Sequence, residues 1–148
     1  NAWVTTRWLN PTEILRGTTS WTPFVDTERT AGFQLATEPT FILITGAVAA
    51  LGVAGLALRR TPQRGVWVIM LCTGVLILGA AHWPLGDDVR AFLDGPGAAL
   101  RNVHKFDPVV RIPLLVGLAV WGSVVRLPQT WAETARSGRR QAARSCHA

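Results

Sequence analysis

The chain has 148 residues, 49% of them hydrophobic, and a net charge of +6 in which all but one of the basic residues are arginine. A mean hydropathy of +0.25, with the apolar residues bunched into runs, excludes an ordinary soluble domain of this size. The arginine excess points to phosphate, anionic lipid or an acidic partner. Cys72, in an apolar run, and Cys146, in a basic tail, exclude a disulfide framework.

Residues 1–39 read as an extracytoplasmic segment with short interfacial helices. No initiator methionine or signal-peptide pattern opens it, so Asn1 reads as an internal position of a longer polypeptide. Asn10-Pro11-Thr12-Glu13 supplies an N-cap, a proline at the first helical position and an acid at the third, and Gly17 supplies a stop. Trp3, Trp8 and Trp21 surround that helix, as in a segment lying against lipid headgroups.

The first span, 40–58, carries no charge and extends about 28 Å at a rise of roughly 1.5 Å per residue, close to the hydrocarbon thickness. Within it Gly46, Ala50 and Ala54 recur every fourth residue. This small-residue stripe is expected to receive the second span or a helix outside the fragment. Residues 59–65 form a loop with Arg59, Arg60 and Arg64 and no acid. The second span, 66–83, is again uncharged, with Trp67 and Trp83 near its ends. In the loop 84–107, residues 87–94 have an acidic start, Val89, Phe92 and Leu93 on one face, and Gly95-Pro96 as a stop. The third span, 108–127, has Asp107 as N-cap, Pro108 at its first position, Pro113 in its first turns, and Arg111 and Arg126 able to snorkel at its edges.

Three spans put the 59–65 loop and the 128–148 tail on one side, and both are rich in arginine. The positive-inside rule makes that side cytoplasmic. The expected fold is therefore an all-α polytopic membrane protein: three transmembrane helices with short outward-facing interfacial helices, packed within a larger bundle.

Leu100-Arg101-Asn102-Val103-His104-Lys105-Phe106-Asp107-Pro108 holds the only lysine in the chain, and Arg111 follows closely. Guanidinium forks, an ammonium and imidazole or amide donors at a hydrocarbon boundary suit a lipid-borne phosphate. Arg101 and Lys105, four apart, are expected to share a helical face, and Asp107 to hold His104 or Arg111, or to cap the third span. Contact with ordinary headgroups is the plainer reading of the same spacing. His82, His104 and His147 are too scattered for a metal site, and no phosphate-cradling glycine loop or Ser-His-Asp arrangement is present. No cofactor is expected. The tail's arginines have no interleaved aromatics, so nucleic acid is not an expected partner.

Glu13-Ile14-Leu15-Arg16-Gly17-Thr18-Thr19-Ser20-Trp21-Thr22-Pro23-Phe24-Val25, then Ala91-Phe92-Leu93-Asp94, Leu100-Arg101-Asn102-Val103-His104-Lys105 and Val110-Arg111-Ile112-Pro113-Leu114 closely resemble successive stretches of the actinobacterial α-(1→3)-arabinofuranosyltransferases. These are large polytopic enzymes of the GT-C glycosyltransferase class, and the matching blocks keep their order across roughly residues 10–120. The resemblance implies a piece of the N-terminal membrane region of such an enzyme, inactive alone. It implies arabinofuranose transfer from a decaprenyl-phosphate donor to an arabinan acceptor, in arabinogalactan and lipoarabinomannan, on the outer face of the plasma membrane. Partners would be that donor and acceptor, membrane lipids and the rest of the parent chain. The class generally takes its base from an aspartate in the first outward loop, which lies outside this sequence, so no catalytic residue is assigned. Arg101, Asn102, His104, Lys105 and Arg111 are expected at the donor phosphate, and Trp21 as a sugar-stacking face. The competing reading is a non-enzymatic membrane scaffold or assembly subunit that binds headgroups or a partner protein.

Overall fold

The computed structural model describes residues 2–20 and 30–125. Seven α-helices follow one another among these: α1 (Ala2–Thr6), α2 (Pro11–Arg16), α3 (Thr30–Thr37), α4 (Pro39–Ala57), α5 (Arg64–Gly79), α6 (Gly86–Asp94) and α7 (Asp107–Val124). Short 3₁₀ turns at Ala80–His82, Ala98–Leu100 and Val103–Phe106 join the later ones. No strand occurs among the described residues.

Three helical stretches, Pro39–Ala57, Arg64–His82 and Val103–Val124, are long and apolar enough to cross a membrane. Much of their apolar surface faces outward: Leu43 is 73% exposed, Ile69 68% and Leu115 63%. Water would penalise such faces heavily, whereas lipid accepts them, because every backbone group is already paired within its helix. The fold is thus that of an all-α polytopic membrane protein.

The closest packing within the bundle joins α4 to α7, and it depends on missing side chains. A Cβ added at Gly52 would stand 2.9 Å from the Leu114 carbonyl oxygen, one at Gly55 would overlap the backbone of Gly117, and one at Gly117 would overlap that of Gly52. Lipid supplies no hydrophobic drive between helices, so this close backbone approach carries the association. The stripe Gly46, Ala50 and Ala54, expected to receive the second span or a helix outside the fragment, takes no part in this contact. A Cβ at Gly46 meets nothing within 4 Å, and the stripe instead borders an open groove beside Thr12 and Leu15 of α2. The residues facing α7 are spaced by three, and both patterns coexist on one helix.

The buried cluster sits at one end of the bundle. Ala2, Leu9, Ile14 and Leu93 of the short-helix layer meet Leu78 of α5 and Val110 and Leu114 of α7. At the opposite end lies the arginine-rich link between α4 and α5, where Thr61 caps α4 by donating to the Gly55 carbonyl at 2.7 Å. The chain therefore separates a layered polar end from a bare basic one.

Local signals set the short helices. Asn10 caps α2, its side chain accepting from the Glu13 N–H at 3.0 Å. Gly17 ends the helix at φ 84°, a left-handed conformation that favours glycine. The α6 helix carries Asp87 and Asp88 in its first turn and buries Leu93, but Phe92, expected on the same face, lies exposed beneath Gly97. At α7, Phe106 rather than Asp107 holds the cap position, and Asp107 opens the helix with its carboxylate turned to another use.

Replacing Gly55 or Gly117 with valine should push α4 and α7 apart and destabilise the full-length protein by about 1–3 kcal/mol, the usual cost of overpacking. Thermal unfolding in detergent would register this as a lower midpoint, while Gly46→Ala should leave the midpoint unchanged.

Candidate functional site

The short-helix end gathers most of the described polar chemistry. The α1 helix is held there by several contacts, among them the following. The Ala2 N–H donates to Asp94 Oδ1 at 2.7 Å, His82 Nε2 donates to the Thr6 carbonyl at 2.8 Å, and the Arg90 guanidinium stacks 4.7 Å from the Trp3 ring centroid. These bonds join the chain's first helix to the end of α5 and to α6, and they frame the loop that carries residues 98–106.

The five residues expected at a phosphate divide into two groups. Arg101, Asn102 and Lys105 are exposed on this loop. Arg101 lies 3.8 Å from Asp94, a loose ion pair that leaves its guanidinium free to donate elsewhere. The Asn102 side chain makes no capping hydrogen bond. A helical face shared by Arg101 and Lys105 is not formed, because the chain leaves helical geometry at Asn102 (ψ 70°) before the next 3₁₀ turn. Arg101 stands between two 3₁₀ turns and Lys105 within the second of them.

His104 and Arg111 turn inward. The His104 ring lies near the Thr5 backbone and Asp107, and neither ring nitrogen is exposed or hydrogen-bonded. Arg111 has four of its five N–H donors engaged. Its Nε donates to Asp107 Oδ2 at 2.9 Å and its Nη2 to Oδ1 at 2.8 Å, the bidentate fork of a strong charge-assisted pair. Its Nη1 donates to the Leu15 carbonyl at 2.9 Å, and Nη2 also reaches the Ile14 carbonyl. Of the roles open to Asp107, holding Arg111 is the one observed. The guanidinium packs against Gly17, where a Cβ would approach Arg111 Cζ to 3.4 Å. Trp21 lies outside the described residues.

Two residues at this end make contacts that their type and spacing do not reveal. Arg16 donates from Nε to Thr45 Oγ1 at 3.0 Å and from Nη2 to the Leu35 carbonyl at 3.1 Å, tying α2 to α3 and α4. Glu13, read as a helix-start acid, keeps Oε2 buried without a partner. Burial raises its pKa above the usual carboxylate value, against the opposing pull of the Asn10 backbone, Arg16 and His82. The helix-start pattern announced Glu13, but nothing local revealed that its oxygen would be enclosed. Among the described residues no group of His, Cys, Asp and Glu is placed to hold a metal ion.

Residues 1–148 match the family described as the N-terminal GT-C domain of alpha-(1->3)-arabinofuranosyltransferase. The chain is 52% identical over 120 residues to an alpha-(1->3)-arabinofuranosyltransferase of Mycolicibacterium smegmatis, a match covering 78% of this chain and 8% of that protein. It is 50% identical over 130 residues to the alpha-(1->3)-arabinofuranosyltransferase of Mycobacterium tuberculosis, covering 84% and 9% respectively. The chain thus spans under a tenth of the length of these relatives. No solved structure matches it.

Two outcomes follow from this geometry. Arg111→Ala should destabilise the full-length protein by about 2 kcal/mol or more, since it strands Asp107 and the carbonyls at the end of α2, and limited proteolysis should then cut near Gly17. Glu13→Gln should change stability in a pH-dependent way. A carboxyl with a raised folded-state pKa binds its proton more tightly when folded, so the wild type loses stability as pH rises from about 4.5 through that pKa. The unfolding midpoint of the glutamine variant should therefore gain on the wild type between pH 4.5 and 7.

Proposed function

This chain belongs to the family of the alpha-(1->3)-arabinofuranosyltransferase N-terminal GT-C domain, and we propose that it forms part of such an enzyme's membrane portion. The full enzyme transfers arabinofuranose from a decaprenyl-phosphate donor to cell-wall arabinan, in arabinogalactan and lipoarabinomannan. In this reading it is a multi-pass protein of the plasma membrane. The arginine-rich link and tail lie in the cytoplasm, and the short-helix end faces outward, where the transfer occurs.

The observation that carries the reading is the exposed trio Arg101, Asn102 and Lys105 in the connection that leads into α7. When the sugar's anomeric carbon leaves its carrier, the carrier oxygen takes the bonding electron pair and the phosphate gains charge. Preorganised cations stabilise that charge as it develops. Arg101 and Lys105 supply the charge, and Asn102 an amide donor. His104 and Arg111 belong to the same donor-phosphate group indirectly, His104 packed inward beneath the exposed trio and Arg111 fixing the start of α7. Trp21 serves as the sugar-stacking face. The base that activates the acceptor is supplied by another part of the enzyme, and the acceptor approaches from the outward side.

Donor transfer by the full-length protein in membranes, with labelled decaprenyl-phosphoryl-arabinose, tests this. Arg101→Ala and Lys105→Ala, introduced singly and expressed normally, should each lower transfer by at least about tenfold, roughly 1.4 kcal/mol of transition-state stabilisation. Unchanged transfer in both would reduce the loop to a headgroup anchor.

A further inference from the structure

A groove opens sideways from the bundle between α4 and α7, beneath the end of α2. Its walls are apolar, formed by Ile44 and Val48 on one side and Leu115 and Leu118 on the other, and its upper end is closed by Arg16 and Arg111. The volume is about 210 Å³, below the range of roughly 300–1,000 Å³ usual for compact drug-sized ligands. From Arg111 to Leu118 it descends about 10 Å along the helix axis at a rise of roughly 1.5 Å per residue. A narrow apolar slot with cations at one end admits one hydrocarbon chain bearing an anionic head.

The two guanidiniums are not equivalent. Arg111 is neutralised by its fork to Asp107. Arg16 enters no ion pair among the described residues, and its hydrogen bonds to Thr45 and Leu35 leave three of its five N–H donors without an acceptor among those residues. Glu13, on the same helix, acts on it only at a distance. Thr45 lies about 9 Å inside the start of α4, counting six residues at roughly 1.5 Å each. A guanidinium that reaches from Leu35, just before the span, to Thr45 within it, with donors to spare, sits at the level of a lipid headgroup, and phosphate oxygens match its fork.

We propose that this groove binds a membrane phospholipid, with its phosphate on Arg16 and one acyl chain along α4 and α7. The site is distinct from the Arg101–Lys105 loop. The lipid supplies Arg16 with the ion-pair partner that the described residues lack, and fills the wedge beside the α4–α7 contact at Gly52, Gly55 and Gly117.

The full-length protein, extracted in mild detergent, should retain one phospholipid per chain in native mass spectrometry. Arg16→Gln keeps a donor for Thr45 but removes the charge, and should lower retention by at least about tenfold. Leu115→Trp blocks the slot from an exposed position without touching the charge, and should do the same. Arg101→Ala should retain the lipid at the wild-type level, so that loss of donor transfer and loss of lipid can be read apart. Equal retention in the wild type, Arg16→Gln and Leu115→Trp would overturn the proposal. Release of a polyprenyl phosphate in place of a phospholipid would overturn it too, and would assign the groove to the donor.

Discussion

The Leu15 carbonyl at the end of α2 has no partner within its own helix, and that of Ile14 has only a long bond from Gly17 at 3.3 Å. Both meet the guanidinium of Arg111, which Asp107 holds in place from one turn earlier on α7. Unsatisfied carbonyls at a helix terminus are costly where water is scarce, so this contact decides where the short-helix layer can sit. Gly17 takes part twice, through its left-handed backbone and through the space it leaves for the guanidinium. The contact also fixes the start of α7, and with it the loop that presents Arg101, Asn102 and Lys105.

Two kinds of force act in different parts of the molecule. At the layered end, Leu9, Ile14, Leu78, Leu93 and Val110 are buried together, and the hydrophobic effect operates as in a soluble core. Deeper in the bundle, α4 and α7 meet backbone to backbone through glycine, where packing alone holds them. Cations are distributed accordingly. Arg59, Arg60 and Arg64 stand exposed at the bare end, whereas Arg16, Arg90 and Arg111 at the layered end each have a hydrogen bond or ion pair to another element or a nearby acid.

What the sequence reveals of this arrangement follows the range of the interactions. The spans are legible because uninterrupted apolar runs have few other uses, and α2 is legible because Asn10, Pro11 and Gly17 act on their own neighbours. The Asp107–Arg111 pair is visible as a four-residue spacing on a helix. The carbonyls that Arg111 also serves are not, since they lie 96 and 97 residues away. Gly46-Ala50-Ala54 and Gly52-Gly55 are both written in α4, and only the presence of Gly117 opposite selects the second. The shared face of Arg101 and Lys105 fails for a different reason: four-residue spacing aligns side chains only on a continuous helix, and here the backbone leaves helical geometry at Asn102.

The 96-residue separation between Leu15 and Arg111 also sets an order of events during synthesis. At roughly 5–20 residues per second, α2 leaves the ribosome about 5–20 seconds before the arginine that completes it. Throughout that interval α4 and α5 can enter the bilayer, but the end of α2 has no docking partner. Among the described residues the short-helix layer therefore closes only once the helix that carries Arg111 is in place. A chain stalled before α7 would leave the end of α2 open and Ile14 uncovered, so the layer reports on the arrival of a helix made nearly a hundred residues later.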